Sequence, residues 1–339
     1  MKEIKIRFSG MGGNFDPEDN FIVNALRERY RVVLSEDPDY LFYSVLSTDF
    51  LKYSCVRIFF TAENLVPDFN LCDYGIGFAR MDFGDRYLRY PLYLVESFAP
   101  YRGDDYATEL QRAEHKHEHA EEALGEKTDF CAFVYSNGEA APCREKIFRA
   151  LSDYKPVNSG GRYLNNIGGP VENKREFQRK HKFVIAFENT STPGYTTEKI
   201  VHAFSAGAVP IYWGNPEITR EFNPDSFVDC NAMGLTAAGE DRAIREIVRR
   251  VEELDRDGAL YRKALETPAF TEENNTALQK ERFREFLFSI FDQPKEEAYR
   301  RNRFYWGERY ERKQRIGNDF YRQCRKLIPL RDALRKLKK

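Results

Sequence analysis

Two cations stand where helix electrostatics would disfavour them. Lys199 lies in the stretch Gly194-Tyr195-Thr196-Thr197-Glu198-Lys199-Ile200, between the apolar runs 183–188 and 208–214. That stretch reads as a helix start with Thr196 or Thr197 as its cap. The exposed amides of a helix start are partly positive, so a lysine there is unfavourable by a few tenths to ~1 kcal/mol. Arg144 repeats the pattern, following the strand 130–135 and Pro142, a residue suited to a first helical position. Phosphates bind at such helix starts along the carboxyl edge of an α/β sheet. Two such cations would therefore hold one diphosphate, the arginine by a planar fork and the lysine as a compact charge. Plainer readings stay open: Lys199 reaching into solvent, and Arg144 paired with a surface carboxylate. Glu198 suits ribose hydroxyls, which donate hydrogen bonds to an acidic side chain. Asn189 and Tyr195 frame the loop and could touch the sugar or the phosphates. Each of these three is also ordinary loop chemistry.

Strands and helices must bring these residues to one edge. Strands are expected at 2–8, 40–46 and 56–61, with a short one at 73–78 and a helix over 17–29. A second series starts with the strand 130–135 and continues through a helix at 142–151, the strand 183–187, the helix opened by Thr196-Thr197 and the strand 209–213. Helices follow at 241–255 and 281–290. Alternation of this kind predicts an α/β fold with parallel sheets, here two domains with a cleft between them. The polar, His- and Glu-rich stretch 100–127 is read as helical and as the inter-domain connection.

Composition sets the outer limits. The 339 residues are 42% hydrophobic and 14% aromatic, enough for two packed cores. A net charge of −1 conceals an asymmetry: residues 300–339 hold 15 Lys/Arg against 4 Asp/Glu, or +11, leaving −12 on residues 1–299. A basic tail on an acidic body points to an anionic surface for the tail and excludes nucleic acid as partner of the whole chain. Phe320, Cys324, Leu327, Leu334 and Leu337 recur at helical spacing among basic residues. That is the pattern of a helix lying on anionic lipid, or of one packed on the protein's own body, with Pro329 as an expected kink. The first eight residues read as a strand and not a signal peptide, and no apolar run approaches spanning length. The six cysteines show no paired or zinc spacing and read as reduced, cytoplasmic thiols.

Several of these residues carry a family resemblance. Glu188-Asn189, Tyr195, Thr197-Glu198-Lys199 and Val209-Pro210-Ile211-Tyr212-Trp213-Gly214 closely resemble the signature of the α-1,3/4-fucosyltransferases, glycosyltransferase family 10. Phe60-Thr61-Ala62-Glu63-Asn64, Asp68-Phe69-Asn70, 73–78 and 85–89 are similar to the acceptor-domain segment of its bacterial members. Arg144 falls on the family's phosphate-binding arginine. The resemblance implies a GT-B fold, two Rossmann-like domains facing across a cleft with a basic helical tail. Its expected bounds are 1–126 for the acceptor domain, 127–298 for the donor domain and 299–339 for the tail. It implies an inverting transfer of L-fucose from GDP-β-L-fucose to the 3-hydroxyl of N-acetylglucosamine or glucose, giving a Lewis-x-like product on an oligosaccharide or lipopolysaccharide-type acceptor. By the same resemblance Arg144, Asn189, Tyr195, Glu198 and Lys199 line the donor site and Glu63 is the general base. No metal or other cofactor is expected, since the two cations and helix ends can neutralise departing GDP. The expected location is the inner face of the cytoplasmic membrane, held peripherally by the tail. The runner-up readings are a GT-B enzyme for another nucleotide sugar and a non-catalytic nucleotide- or glycan-binding module. Some bacterial members carry many tyrosine-rich heptads before the tail; here only the short aromatic-basic stretch 304–310 occupies that region, so oligomerisation through such repeats is not expected.

Three other motifs read as structural. Asp37-Pro38-Asp39 precedes a strand and reads as a turn. His115-Lys116-His117-Glu118-His119 places two histidines on one helix face, but no second ligand cluster accompanies them. Ser9-Gly10-Met11-Gly12-Gly13 lacks the full dinucleotide-loop spacing and reads as a flexible loop.

Overall fold

The structure, a computed structural model, describes residues 1–12, 15–95 and 106–337, with side chains as far as Tyr321 except those of 106 and 107. Gly13 of the glycine-rich loop and residues 100–105 of the polar stretch lie outside the described residues. The chain forms two compact units, one of residues 1–77, 82–88 and 284–339, the other of 78–81 and 89–283. The units change over at residue 89, whereas the sequence placed the boundary after 126, and residues 284–298 fold with the first unit.

The first unit holds a sheet of β1 (Lys2–Ser9), β2 (Tyr30–Leu34), β3 (Tyr40–Tyr43), β4 (Val56–Phe60), β5 (Tyr74–Gly77) and β6 (Tyr87–Arg89) in the order β2-β1-β3-β4-β5-β6. Strands β1 to β5 pair in parallel, with Ile6 opposite both Leu34 and Tyr40. Every residue of β3 and β4 is buried, as strands covered on both faces require. Helix α1 spans Phe21–Arg27, shorter than the expected 17–29. Asn20 sets its start: the side-chain Oδ1 accepts the N–H groups of Ile22 at 3.1 Å and Val23 at 3.0 Å. Asn20→Ala should therefore lower unfolding stability by about 1 kcal/mol, read from the urea midpoint at unchanged slope. Strands β2 and β6 were not foreseen. No glycine or proline separates β2 from the helical pattern before it.

The second unit has five strands, all paired in parallel: β7 (Asp129–Phe133), β8 (Val157–Ser159), β9 (His181–Phe187), β10 (Val209–Trp213) and β11 (Val228–Asp229), in the order β11-β10-β9-β7-β8. Its core joins β7, β9 and β10 to α4 (Cys143–Tyr154), α7 (Asp241–Arg256) and α8 (Gly258–Glu266). Two Rossmann-like units match the expected α/β class.

The polar stretch is part of the second unit and not a connection between two domains. Its described part forms α2 (Tyr106–Glu114), a 3-10 turn at Lys116–His119 and α3 (Ala120–Gly125), with Leu110, Ala113 and Ala120 buried. Lys116 is buried and donates to the carbonyls of Ala264 at 2.9 Å and Leu265 at 3.0 Å, the end of α8. Burial pushes its ammonium down to about 7. The neighbouring His115 and His119 each lie beside a glutamate, Glu118 and Glu122.

The C-terminal segment comprises α9 (Thr276–Asp292), α10 (Lys295–Ala298) and α11 (Trp306–Leu337), which continues through Pro329. Its entry is fixed on the first unit. The fully buried Asp73 accepts the backbone N–H groups of Arg300 and Arg301 and pairs with the Arg301 guanidinium. Arg57, 1% exposed, forks onto Glu311 at 2.8 and 3.0 Å. Tyr310 donates to Asp68, and Arg315 to the Leu51 carbonyl. The first part of the tail thus packs on the body. The stripe from Cys324 to Leu337 lies beyond the described side chains.

Candidate functional site

The site grows from the carboxyl end of β9. Phe187 ends that strand, and the next two residues each hold one cation. Glu188, fully buried, accepts the Thr197 N–H and hydroxyl at 2.7 Å each and the Lys199 ammonium at 2.9 Å. Asn189 Oδ1 accepts from Arg144 at 3.3 Å. The other arm of Arg144 donates to the Asn137 carbonyl at 2.5 Å, and its guanidinium lies 4.2 Å from the Tyr135 ring centroid. The Tyr135 hydroxyl accepts from the Phe187 N–H. Burial drives that phenol's pKa up, while Arg144 and Lys199 both pull it back. Two cations from separate chain segments therefore converge on one strand end.

Neither plain reading of these cations survives. Arg144 is 2% exposed, and among the described residues it forms no ion pair with a carboxylate. Lys199 is half-buried and bonded to Glu188 and Thr197, so it does not reach into solvent. Three ammonium hydrogens are available and two have protein partners, which leaves one for a ligand.

The helix start also differs from expectation. Helix α6 runs Lys199–Ser205, and neither Thr196 nor Thr197 caps it. Thr197 gives both its N–H and its hydroxyl to Glu188 instead. A helix of two turns contributes little dipole, so the local charges dominate. Burial works against the Lys199 ammonium, but Glu188 and then Glu198 override it and hold its pKa above the ordinary lysine value. Burial likewise raises Glu198, yet Lys199, His202 and Lys174 outweigh it and bring that carboxyl down to about 2. Since the folded pKa of Glu198 lies below its unfolded value, its stabilisation is present above about pH 4.5 and is lost as pH falls towards 2. Thermal melts between pH 5 and 2 should show that decline, and Glu198→Gln should flatten it.

The loop 194–197 is braced by a second buried carboxylate. Glu221 accepts from Arg80 at 2.8 Å, Arg89 at 2.7 Å, Tyr93 at 2.8 Å and Asn215 at 3.0 Å. Asn215 in turn donates to the Thr196 hydroxyl and accepts the Gly194 N–H. Gly194 has φ +86°, and a Cβ there would lie 2.3 Å from the Phe78 carbonyl, so only glycine fits. Tyr195 is buried, its ring edge-on to Phe78 at 4.9 Å.

Arg144, Asn189, Tyr195, Glu198 and Lys199 all fall in the second unit, around the ends of β7 and β9. Glu63 belongs to the first unit. It follows β4 in an exposed turn whose N–H is accepted by the Thr61 hydroxyl at 2.9 Å. Sequence reasoning did not assign Glu188, Tyr135 or Glu221 to the site. Only Glu188 left a signal, as the acidic residue directly after an apolar run.

The chain is similar to known proteins over most of its length. Residues 6–96 match the α-(1,3)-fucosyltransferase FucT N-terminal domain, and residues 124–289 match the C-terminal domain of glycosyltransferase family 10 (fucosyltransferase). The chain is 38% identical over 231 residues to α-(1,3)-fucosyltransferase FucT of Helicobacter pylori, covering 60% of this chain and 48% of that one. It is 29% identical over 147 residues to an Arabidopsis thaliana α-(1,4)-fucosyltransferase, covering 38% and 35%. The chain thus spans about half the length of the curated relatives it matches, or less. A crystal structure of an α1,3-fucosyltransferase superposes with a TM-score of 0.67 at 30% identity, covering 84% of this chain and 90% of the other. One of an α1,3-fucosyltransferase with GDP-fucose gives 0.64 at 30% identity, covering 85% and 91%.

Proposed function

The chain belongs to glycosyltransferase family 10, the fucosyltransferases, and we propose that it transfers L-fucose from GDP-fucose to a glycan hydroxyl in α-1,3 linkage. The observation that carries this reading is the pairing at the end of β9: Glu188 holds Lys199, and Asn189 holds Arg144. In this reading those cations meet the diphosphate, while Asn189, Tyr195 and Glu198 contact the rest of the donor. The structural relative with GDP-fucose bound, at 30% identity, supports that donor.

The transfer inverts the anomeric carbon. The acceptor 3-hydroxyl of N-acetylglucosamine or glucose attacks fucose C1 opposite the leaving group, and its proton passes to the Glu63 carboxylate. The bond from C1 to the β-phosphate oxygen breaks, and GDP departs with added negative charge. Arg144 and Lys199 stabilise that charge, which grows as the bond breaks and so lowers the barrier. An oligosaccharide or lipopolysaccharide-type acceptor would receive a Lewis-x-like unit.

Mass spectrometry of lactose or N-acetyllactosamine after incubation with GDP-fucose should show the mass of one added deoxyhexose, and NMR an α-1,3 linkage. Product only from another nucleotide sugar would assign a different donor, and nucleotide binding without any product would leave a binding module. The proposed location is peripheral, with the distal part of α11 on an anionic membrane. Among the described residues no helix is long and apolar enough to cross one. Deleting 320–339 should reduce sedimentation with phosphatidylglycerol vesicles severalfold. Unchanged sedimentation would remove the tail from that role.

A further inference from the structure

The first unit carries a cavity whose lining shares no residue with those assigned to the reaction. A cavity of about 260 Å³ opens where α11 begins, lined by Asn70, Asn302, Trp306, Gly307, Arg309, Tyr310 and Lys313. Its aromatic content is exposed. Trp306 is 65% accessible, and the adjoining Phe304 and Tyr305 are 83% and 69%. Large aromatic rings left in water at one place mark interaction surfaces.

The chain goes to some length to present them. Tyr305 sits at φ +41°, a left-handed conformation that a bulky residue rarely adopts. Gly307 lies so close to the Asn302 carbonyl that a Cβ would approach within 1.8 Å of it. Backbone strain like that at Tyr305 persists only where surrounding contacts enforce it, and it gathers at functional positions. The polar rim is also fixed. Asp68 takes hydrogen bonds from both the N–H and the side-chain amide of Asn70 and from the Tyr310 hydroxyl. Asn302 Oδ1 accepts the Phe304 N–H, which leaves its NH₂ as a donor. Arg309 places its guanidinium 5.4 Å from the indole centroid of Trp306, so a cation adjoins the stacking face.

We propose that this cavity is an accessory saccharide site that takes one sugar ring of an anionic glycan. The ring's C–H face lies on Trp306, its hydroxyls meet Asn70 and Asn302, and a sulfate, phosphate or carboxylate on the chain meets Arg309 and Lys313. Size supports a single ring, because the cavity falls below the ~300–1,000 Å³ of clefts that enclose larger ligands. Charge favours an acidic chain, since the lining contains two cations and no carboxylate. The site rests on the glycan-acceptor reading above: it would hold a sugar of the acceptor chain other than the one that reacts.

The two tryptophans make a direct test. Trp213 is 1% exposed and Trp306 is 65% exposed, so ligand-induced change in tryptophan emission reports on Trp306. The full chain would be titrated with a sulfated N-acetyllactosamine tetrasaccharide and with its unsulfated counterpart. A saturable emission change is expected, with tighter binding of the sulfated form. The double variant Arg309→Gln/Lys313→Gln keeps the reporter and should lose that preference. By calorimetry, Trp306→Ala should weaken binding about tenfold. No emission change at millimolar saccharide overturns the proposal. So does a change produced only by phosphatidylglycerol vesicles, which would assign the surface to lipid. The titration requires no fucose transfer, so a failure of the proposed activity is seen separately, by mass spectrometry. With long acceptors, Trp306→Ala should raise KM and leave kcat unchanged, whereas the disaccharide N-acetyllactosamine should show no difference.

Discussion

Glu63→Gln is expected to lower fucose transfer by ~10²–10⁴-fold, the usual contribution of a positioned general base. GDP affinity should stay within about twofold of the parent chain, because the residues assigned to the diphosphate all lie in the second unit. The substitution suits the position. Glu63 is exposed, and its turn is held through the backbone by the Thr61 hydroxyl, which the change leaves in place. Exposed substitutions away from caps and cores alter stability by no more than ~0.5 kcal/mol, so lost activity would not reflect lost fold. Glutamine keeps the shape and can still accept a hydrogen bond from the acceptor hydroxyl, but it cannot take the proton. The loss should therefore fall on kcat and much less on acceptor KM. Single-turnover transfer to N-acetyllactosamine, paired with GDP calorimetry, measures both. Activity within threefold of the parent would assign the base elsewhere.

What the sequence made legible follows the physics of each signal. Strands β3 and β10 are buried throughout and read as apolar runs, and β4 and β9 are interrupted only by Arg57 and by His181 and Lys182, so their positions stood out. The cations Arg144 and Lys199 stood out because their charge opposes the local helix field. Their partners did not. Glu188 carries its meaning only through Thr197 and Lys199, about ten residues away. Glu221 joins Arg80, Arg89 and Tyr93, over a hundred residues earlier, and no spacing rule links them. The stretch 106–125 misled for a related reason. Its polar composition suggested an inter-domain connection, but Lys116 is buried with its ammonium on the carbonyl end of α8. The tail shows the same limit: positive charge predicted an anionic surface, while Glu311 and Tyr310 attach its first turns to Arg57 and Asp68.

Lys199→Ala should have two separable effects. Glu188 is fully buried, and its carboxylate would keep only the Thr197 N–H and hydroxyl. Removing one partner of a buried ion pair costs ~3–5 kcal/mol, and the lower end applies here because the lysine is partly exposed. Loss of a charge-assisted hydrogen bond to phosphate, ~1.5–3 kcal/mol, should also weaken GDP binding by ~10–100-fold. A single variant cannot tell an indirect loss, through a disordered loop 194–199, from a direct one. Glu188→Gln in the same chain can. An uncharged amide needs no counter-charge and still accepts from Thr197, so the double variant should regain most of the stability in urea unfolding. Its GDP affinity should remain low, because the ammonium that meets the diphosphate is still missing. If calorimetry instead finds GDP binding restored along with stability, Lys199 serves only to neutralise Glu188, and the diphosphate must be held by Arg144 without it.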